Sequence, residues 1–319
     1  MKRLLSVLSM ALAFPVAAQN YPSKTVKIIV PYPAGGNADN FARTIAQRLN
    51  ESYGQTLIID NRPGATGTIG AALAAKSPPD GYTLIEHIAS SYIAGYLYRG
   101  VTYDPAKAFA PIINCAMLPF ALVAASFQPV KSVAELISLA RRRPNEVPYS
   151  SQGSGSAGHL VTEMFNSVTG IKTVHVPYKG SAPAMIALAS GEALFAFSNL
   201  LDPQPLIKAG KVRALAVTGT KQSPAMPNVP TVTEAGLPGF EDVYFWLGMF
   251  APAGTPQQIV NKLNADIARI LDTPKMKEWL MHDLGGEFAP NTPDQFNAFL
   301  VTDTQRWMKI IKETGVRFD

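Results

Sequence analysis

At 319 residues, with 47% hydrophobic and 16% charged side chains, the chain has the composition of a well-packed globule and exceeds what one hydrophobic core usually supports, which points to two lobes. Its formal net charge of +5 falls to +3 once Lys2 and Arg3 leave with the leader described below; no block of five or six like charges occurs, so no nucleic-acid partner is expected. A single cysteine, Cys115, excludes an internal disulfide and a cysteine-based metal cluster, and its neighbours Pro111-Ile112-Ile113-Asn114 make it a buried thiol.

Met1-Lys2-Arg3 is a basic start, Leu4 to Val16 is apolar, and Val16-Ala17-Ala18 is a small-residue cleavage site. Residues 1–18 therefore read as a secretory signal, with the mature chain beginning at Gln19. Export without a disulfide framework fits a bacterial periplasm. No cysteine follows the cleavage site, which excludes a lipid anchor there, and no later apolar run reaches the roughly 18 residues of a membrane span.

Thr25 to Val30 is a β-branched strand that ends in Pro31-Tyr32-Pro33-Ala34-Gly35-Gly36-Asn37-Ala38-Asp39, after which Phe41, Ile45 and Leu49 recur at helical spacing. Thr56 to Asp60 is a second strand; it runs through Pro63-Gly64-Ala65-Thr66-Gly67-Thr68 into a helix carrying Ala71, Leu73 and Ala74. Tyr82 to Ile85 continues this first lobe. Phe109 to Ile113 starts a crossing, and Phe120 to Ala125 opens the second lobe, followed by a helix with Ser132 as N-cap and Arg141-Arg142-Arg143 near its end, where cations suit the dipole.

Next, Val147 to Ser151 feeds Gln152-Gly153-Ser154-Gly155-Ser156-Ala157-Gly158-His159, which opens directly into a helix through Leu160, Val161, Met164 and Phe165. A strand at His175 to Lys179, a helix from Ala182 to Ser190 and a strand from Leu194 to Asn199 complete this lobe. Lys211 to Thr218 reads as the returning strand, Pro224, Pro227 and Pro230 mark a loop, and Trp246 to Pro252 is a last buried strand. Helices through Ile259, Leu263, Ile267 and Ile270, and through Phe296, Phe299, Trp307 and Ile311, are expected to pack back onto the first lobe. The predicted division is 19–114 and 221–319 for the first lobe and 115–220 for the second, with two chain crossings and a hinge.

Strands alternating with helices imply an α/β fold of mostly parallel sheets flanked by helices, in which ligands bind beyond the carboxyl ends of the strands. Three helix starts emerge there from glycine-rich turns. Unpaired amides at a helix start, with about half a positive charge from the dipole, make a seat for an anion. Turns from two lobes facing each other would attract a carboxylate without any arginine; alternatively, they only change chain direction.

Gly153, Gly155 and Gly158 also spell G-x-G-x-x-G, but the strand that should end in a ribose-binding acid, Lys172 to Lys179, contains none, so no dinucleotide and no other cofactor is expected. His87, His159, His175 and His282 show no metal-ligand spacing, and no serine stands in G-x-S-x-G. His159 reads as a capping or packing residue rather than a base, and Glu163, which invites pairing with it, as a solvent or first-turn residue. Tyr32, Tyr178, Phe197 and Trp246 fit core packing or a pocket wall equally.

The segments Val30-Pro31-Tyr32-Pro33-Ala34-Gly35-Gly36, Asn61-Arg62-Pro63-Gly64-Ala65, Pro79-Asp80-Gly81-Tyr82-Thr83-Leu84, Ser150 to Ser156 with His159-Leu160, Val176-Pro177-Tyr178-Lys179-Gly180, Arg213 to Thr218 and Phe250 to Pro256 resemble the substrate-binding receptors of tripartite tricarboxylate transporters, the Bug family. The likeness spans nearly the whole mature chain in order. It implies a two-lobed, type II-like periplasmic binding protein, acting as a monomer and not an enzyme, that closes on a small carboxylate and passes it to membrane subunits of the transporter. Carried over, the ligand contacts fall on Ala34, Gly35, Gly36 and Asn37, on Thr66, Gly67 and Thr68, on Gly153, Ser154, Gly155 and Ser156, and on Asn199. Family members often have glycine or serine at Asn37 and aspartate at Ser198 and near Ala187; Ser198 removes a partner for a ligand amine and favours a ligand that is only an anion. An exported esterase or dehydrogenase using the same pocket, or a sensory binding protein, is the alternative reading.

Overall fold

The computed structural model describes residues 21–98 and 100–315; the signal at residues 1–18 and the mature start at Gln19 lie outside the described residues. The first lobe begins with β1 (Val26–Val30), α1 (Asn37–Tyr53), β2 (Leu57–Asn61), α2 (Thr68–Ala75), β3 (Thr83–Ile88) and α3 (Ala89–Leu97). Alternation along β1 divides its side chains between two cores: Ile28 and Val30 join Phe41, Ile45 and Leu49 of α1 on one face, while Ile29 joins Ala71 and Ala74 of α2 on the other. Phe41, Ile45 and Leu49 are fully buried, and each contributes roughly 1.5–3 kcal/mol by that burial.

One strand then crosses the molecule. β4 (Phe109–Ala125) is continuous, where the sequence suggested two separate runs. Pro111 lacks the N–H that a ladder uses, and the register shifts beside it, between Pro111 and Ile113; a second shift falls between Asn114 and Ala116, and Pro119 sits in regular register opposite Tyr244, where the pairing with the strand Tyr244–Pro252 ends. The second lobe follows: α4 (Val133–Arg142), β5 (Pro148–Ser151), α5 (Ala157–Thr169), β6 (Val174–Pro177), α6 (Ser181–Ser190), β7 (Phe195–Asn199), α7 (Gln204–Lys208) and β8 (Val212–Val217). The chain returns through β9 (Tyr244–Pro252), α8 (Gln257–Leu271), α9 (Pro274–Trp279) and α10 (Pro293–Thr314).

Residues Phe109 to Pro119 of β4 pair with β9, whereas Phe120 to Ala125 pair with β7 and β8, so each half of β4 belongs to a different lobe. The strand order is β2-β1-β3-β9-β4-β7-β5-β6, with β8 also on β4. Pairs within the βαβ units, β1 with β2 and β3 and β5 with β6 and β7, are parallel. The crossing strands add antiparallel pairs, β3 with β9 and β4 with β9, β7 and β8, so the sheet as a whole is mixed.

α8 packs on the first lobe through Ile259, Leu263 and Ile267. α10 departs from the expected return to that lobe. Its Phe296 and Leu300 share a core with Trp246 and Phe250 of the first lobe, but Trp307, Ile310 and Ile311 share one with Leu160 and Phe165 of the second. The physical reason is length: 22 residues at the helical rise reach about 33 Å, enough to span both. At mid-helix the buried Asp303 accepts a hydrogen bond from Trp246 Nε1 (2.9 Å). Among the described residues no helix is long and apolar enough to cross a membrane, and no group of three His, Cys, Asp or Glu could hold a metal.

Candidate functional site

The turn after β1 is fastened from behind by one acid. Asp39, only 1% exposed, accepts from Gly35 N (2.8 Å) and Arg43 Nε (2.9 Å), and its other oxygen accepts from Asn61 Nδ2 (2.9 Å), which also donates to Tyr32 O (3.1 Å). Burial alone would raise its pKa, but these hydrogen bonds outweigh it and hold the carboxyl below the usual range. The turn is thereby locked with its helix start pointing outward. The α1 N-cap, Gly36, has no side-chain cap, so the first-turn amides are left for something else.

The second turn holds two non-glycine residues in left-handed backbone, Ala65 (φ 44°) and Thr66 (φ 50°), a cost of order 1–3 kcal/mol each. The Thr68 hydroxyl donates to Ala65 O (2.9 Å), and the Thr66 hydroxyl bonds the Tyr98 hydroxyl (2.9 Å). In the third turn, Ser156 caps α5 by accepting from His159 N (3.4 Å), and Gly155 N donates to His159 Nδ1 (3.0 Å). Gly158 must be glycine: a Cβ there would stand 2.5 Å from Phe197 O and 2.5 Å from Gln152 Oε1. The glycine spacing serves close approach of α5 to β7, which accounts for it without a dinucleotide.

These turns meet around a cavity of about 540 Å³ between the lobes, in the ordinary range for a small-molecule site. The first lobe supplies Tyr32, Ala34, Gly36, Asn37, Thr66, Ile88 and Ser90; the second supplies Gln152, Ser154, Ser156, Ala157, Gly158 and Asn199. The back wall is formed by Phe120 of β4 and Phe245 of β9, packed edge to face at 6.4 Å. Both crossing strands thus touch whatever fills the space.

Of the residues singled out from sequence, Ala34, Gly36, Asn37, Thr66, Ser154, Ser156 and Asn199 line the cavity. Gly35, Gly67, Thr68, Gly153 and Gly155 do not; they shape the turns behind it. Gly67, for example, takes φ 92° with no room for a side chain, a Cβ lying 2.8 Å from Ser91. Ile88, Ser90, Phe120 and Phe245 went unnamed as lining. The carboxyl end of β3 could have signalled Ile88 and Ser90, but α3 follows β3 without a glycine turn and was not foreseen; Ser91 starts it by accepting from Ile88 N (3.2 Å). Among the undecided aromatics, Tyr32 lines the cavity, Phe197 and Trp246 are fully buried core, and the Tyr178 hydroxyl donates to Glu192 (3.0 Å).

Among the described residues none that lines the cavity is charged. Glu86 of β3, fully buried and interacting electrostatically with Tyr32, is pushed well above the ordinary carboxyl range by burial and by the charge of Asp39, both of which disfavour a negative charge there. Ser198 donates to Asp202 (2.9 Å) and receives a weak bond from Gln152 (3.4 Å), so it is tied into the wall. What remains facing the space are the starts of α1 and α5, from opposite lobes, with hydroxyls and amides around them. Such a lining offers donors and partial positive charge to an anion and no carboxylate to an amine.

Residues 41–316 match the tripartite tricarboxylate transporter family receptor. BugT of Bordetella pertussis is 35% identical over 324 residues, covering 99% of both chains. Among solved structures, R. palustris Rpa4515 with adipate is 41% identical with a TM-score of 0.81, covering 93% of this chain and 99% of that one. The periplasmic binding protein BugD is 34% identical with a TM-score of 0.76 (93% and 99% covered), and MatC of Rhodopseudomonas palustris with bound malate is 32% identical with a TM-score of 0.76 (91% and 100% covered). The α/β architecture is that of a two-lobed solute-binding protein, and the chain belongs to the tripartite tricarboxylate transporter receptor family, Bug-named proteins among its relatives.

Proposed function

We propose that this protein is a periplasmic receptor that closes its two lobes on a small carboxylate and delivers it, as a monomer, to the membrane subunits of a tripartite tricarboxylate-type transporter. The observation that carries the reading is the uncharged cavity onto which the starts of α1 and α5 converge from opposite lobes, with Asn37, Thr66, Ser154, Ser156 and Asn199 around them. Adipate and malate, held by two similar proteins, are the first compounds to try. Hydrogen bonds to a charged group contribute about 1.5–3 kcal/mol each, so three or four from these residues supply much of the roughly −8 kcal/mol of micromolar binding. Contacts drawn from both lobes favour the closed state, because an open cleft cannot make them together.

A receptor fits the site better than an enzyme. Among the described residues, no lining hydroxyl stands within hydrogen-bond reach of a side-chain base: Ser156 accepts from a backbone amide, and the His159 ring accepts from Gly155. A thermal-shift screen of mono-, di- and tricarboxylates tests the reading, since a ligand of the native state alone raises the melting temperature by mass action. Calorimetry on the best compound follows. A carboxylate that raises the melting temperature and is recovered unchanged is the expected result; no shift with any carboxylate, or turnover of the bound one, overturns it.

A further inference from the structure

A polar cluster outside the cavity lies behind the Gly153 to Ser156 turn, and it is built around two imidazoles. The rings of His159 on α5 and His175 on β6 are parallel within 8° with centroids 3.8 Å apart. His159 Nδ1 accepts the Gly155 amide (3.0 Å). An accepting Nδ1 is unprotonated, which fixes the ring proton on Nε2. His175 Nε2 lies 2.7 Å from the Ser151 hydroxyl. That hydroxyl donates to Gly153 O (3.1 Å) and accepts from Gly153 N (3.2 Å), which leaves His175 as its donor. The two glycines on either side of Ser154, a cavity-lining serine, are thus each held by one ring, directly or through one hydroxyl.

We propose that His159 and His175 are positioning residues of the ligand seat: as a neutral stacked pair they hold the amides of the Gly153 to Ser156 turn in the binding geometry, and a proton on His159 Nδ1 releases them. The inference rests on the reading of this turn as part of the seat. Protonation of Nδ1 sets one N–H against another, so the hydrogen bond to Gly155 is replaced by repulsion, and a charge on one ring opposes a charge on its neighbour.

Among the described residues, the surroundings offer the cation a ring face but no carboxylate. On β5 the Tyr149 ring stacks on His175 (5.0 Å) and lies 6.3 Å from His159. On α5 the carboxylate of Glu163 is engaged by the Tyr149 hydroxyl and by Asn166 Nδ2, and on β7 Phe195 packs against Tyr149. Among the described residues no carboxylate bonds either imidazole. Burial, and for His159 also its neighbour, lowers both to about 4. The support is therefore complete above the ordinary histidine pKa near 6.5 and is lost as the pH falls from there toward about 4.

The test uses the mature full-length protein, imidazole nitrogen spectra, amide exchange at residues 151–158 and calorimetry with adipate. The wild type is expected to show the Nε2–H tautomer at His159 and a titration well below that of free histidine. Turn protection, corrected for intrinsic rates, should fall between pH 7 and 4 while α8 stays protected. H159F keeps the ring packing and removes the acceptor; it should raise turn exchange and weaken adipate roughly tenfold, the equivalent of one lost hydrogen bond. H159N, whose Oδ1 replaces Nδ1 as acceptor, should restore most of both and reduce the pH dependence to what His175 alone contributes. An Nδ1–H tautomer, or wild-type protection that does not change between pH 7 and 4, overturns the proposal even if H159F fails to fold. So does a folded H159F with unaltered turn exchange. Absence of any heat with adipate counts against the ligand reading alone, since the spectra and the exchange judge the histidines without it.

Discussion

Replacing Gly158 with alanine sets two effects of known size against each other. In an ordinary helix the change stabilises, because alanine is favoured over glycine by about 0.8–1 kcal/mol. Here the added Cβ would lie 2.5 Å from Phe197 O and from Gln152 Oε1, roughly 0.8–1.1 Å short of an ordinary C···O contact. Gln152 can swing aside. Phe197 O cannot, because β7 is held between β4 and β5, so the start of α5 must move outward. Overpacking of this kind costs about 1–3 kcal/mol, which exceeds the propensity gain. G158A is therefore expected to lose about 1 kcal/mol in denaturant unfolding and, because Ser154 and Ser156 ride on the displaced turn, to bind its carboxylate more weakly by calorimetry. A variant more stable than wild type with the same affinity would show that the α5 start is not pressed against β7 and would remove the close approach from the explanation of the site.

Ser154→Ala and Ser156→Ala should each weaken carboxylate binding by about 1.5–3 kcal/mol, measured by calorimetry; Ser156→Ala should also lose about 1 kcal/mol of stability as a lost N-cap. Glu86→Gln should raise the melting temperature at pH 7. The folded pKa of Glu86 lies above the unfolded one, so the native state retains a proton that the unfolded chain releases, and stability falls as the pH rises through the ordinary carboxyl range; melts from pH 4 to 8 should show the gain vanish at the acid end. The histidines act with opposite sign. His159 and His175 at about 4 and His87 at about 3 are depressed, so the unfolded chain takes up protons first. Their contribution, complete above the ordinary histidine pKa near 6.5, is lost as the pH falls from there toward 4, and the double variant H159N/H175N should flatten that limb of the stability profile.

The seat was legible in sequence because its grammar is local. A β-branched run, a glycine turn and a helix period fall within a dozen residues, and the carboxyl-end rule then places three such turns together. The turns follow from that rule; the individual residues among them, Ala34, Gly36, Asn37, Thr66, Ser154 and Ser156, come from the family resemblance. What was illegible is non-local. Phe245 reaches the cavity only because β9 is registered against β4, with Pro119 opposite Tyr244; nothing near residue 245 signals this. Gly158 carries a fingerprint spacing whose cause is a carbonyl on another strand. Continuity of β4 was hidden by Pro111 and Pro119: the first sits beside a register shift and the second at the end of the pairing with β9, both set by the partner strand. The role of Asp39 depends on Asn61, from the next strand, and on Gly35, which close on it only in the folded turn.

α10 changes how closure must be pictured. Two crossings alone, β4 and the return into β9, would leave the lobes joined by paired strands near Pro119 and Tyr244, a narrow band about which either lobe could swing freely. A helix seated in both cores removes much of that freedom. Its first half is fixed by Phe296, Leu300 and the Trp246–Asp303 hydrogen bond, and its second by Trp307, Ile310 and Ile311 against the lobe that carries α5. Interiors are close-packed and resist sliding, so a motion that keeps both seats intact must bend about an axis passing close to α10, with the largest displacement on the side away from it. Phe120 and Phe245 lie on the crossing strands and also line the cavity, so a ligand that reaches the back wall touches the band about which the lobes turn. In the proposed receptor, contact with the seat and pressure on the hinge would then be one event, carried by the same strands that pass the chain between the lobes.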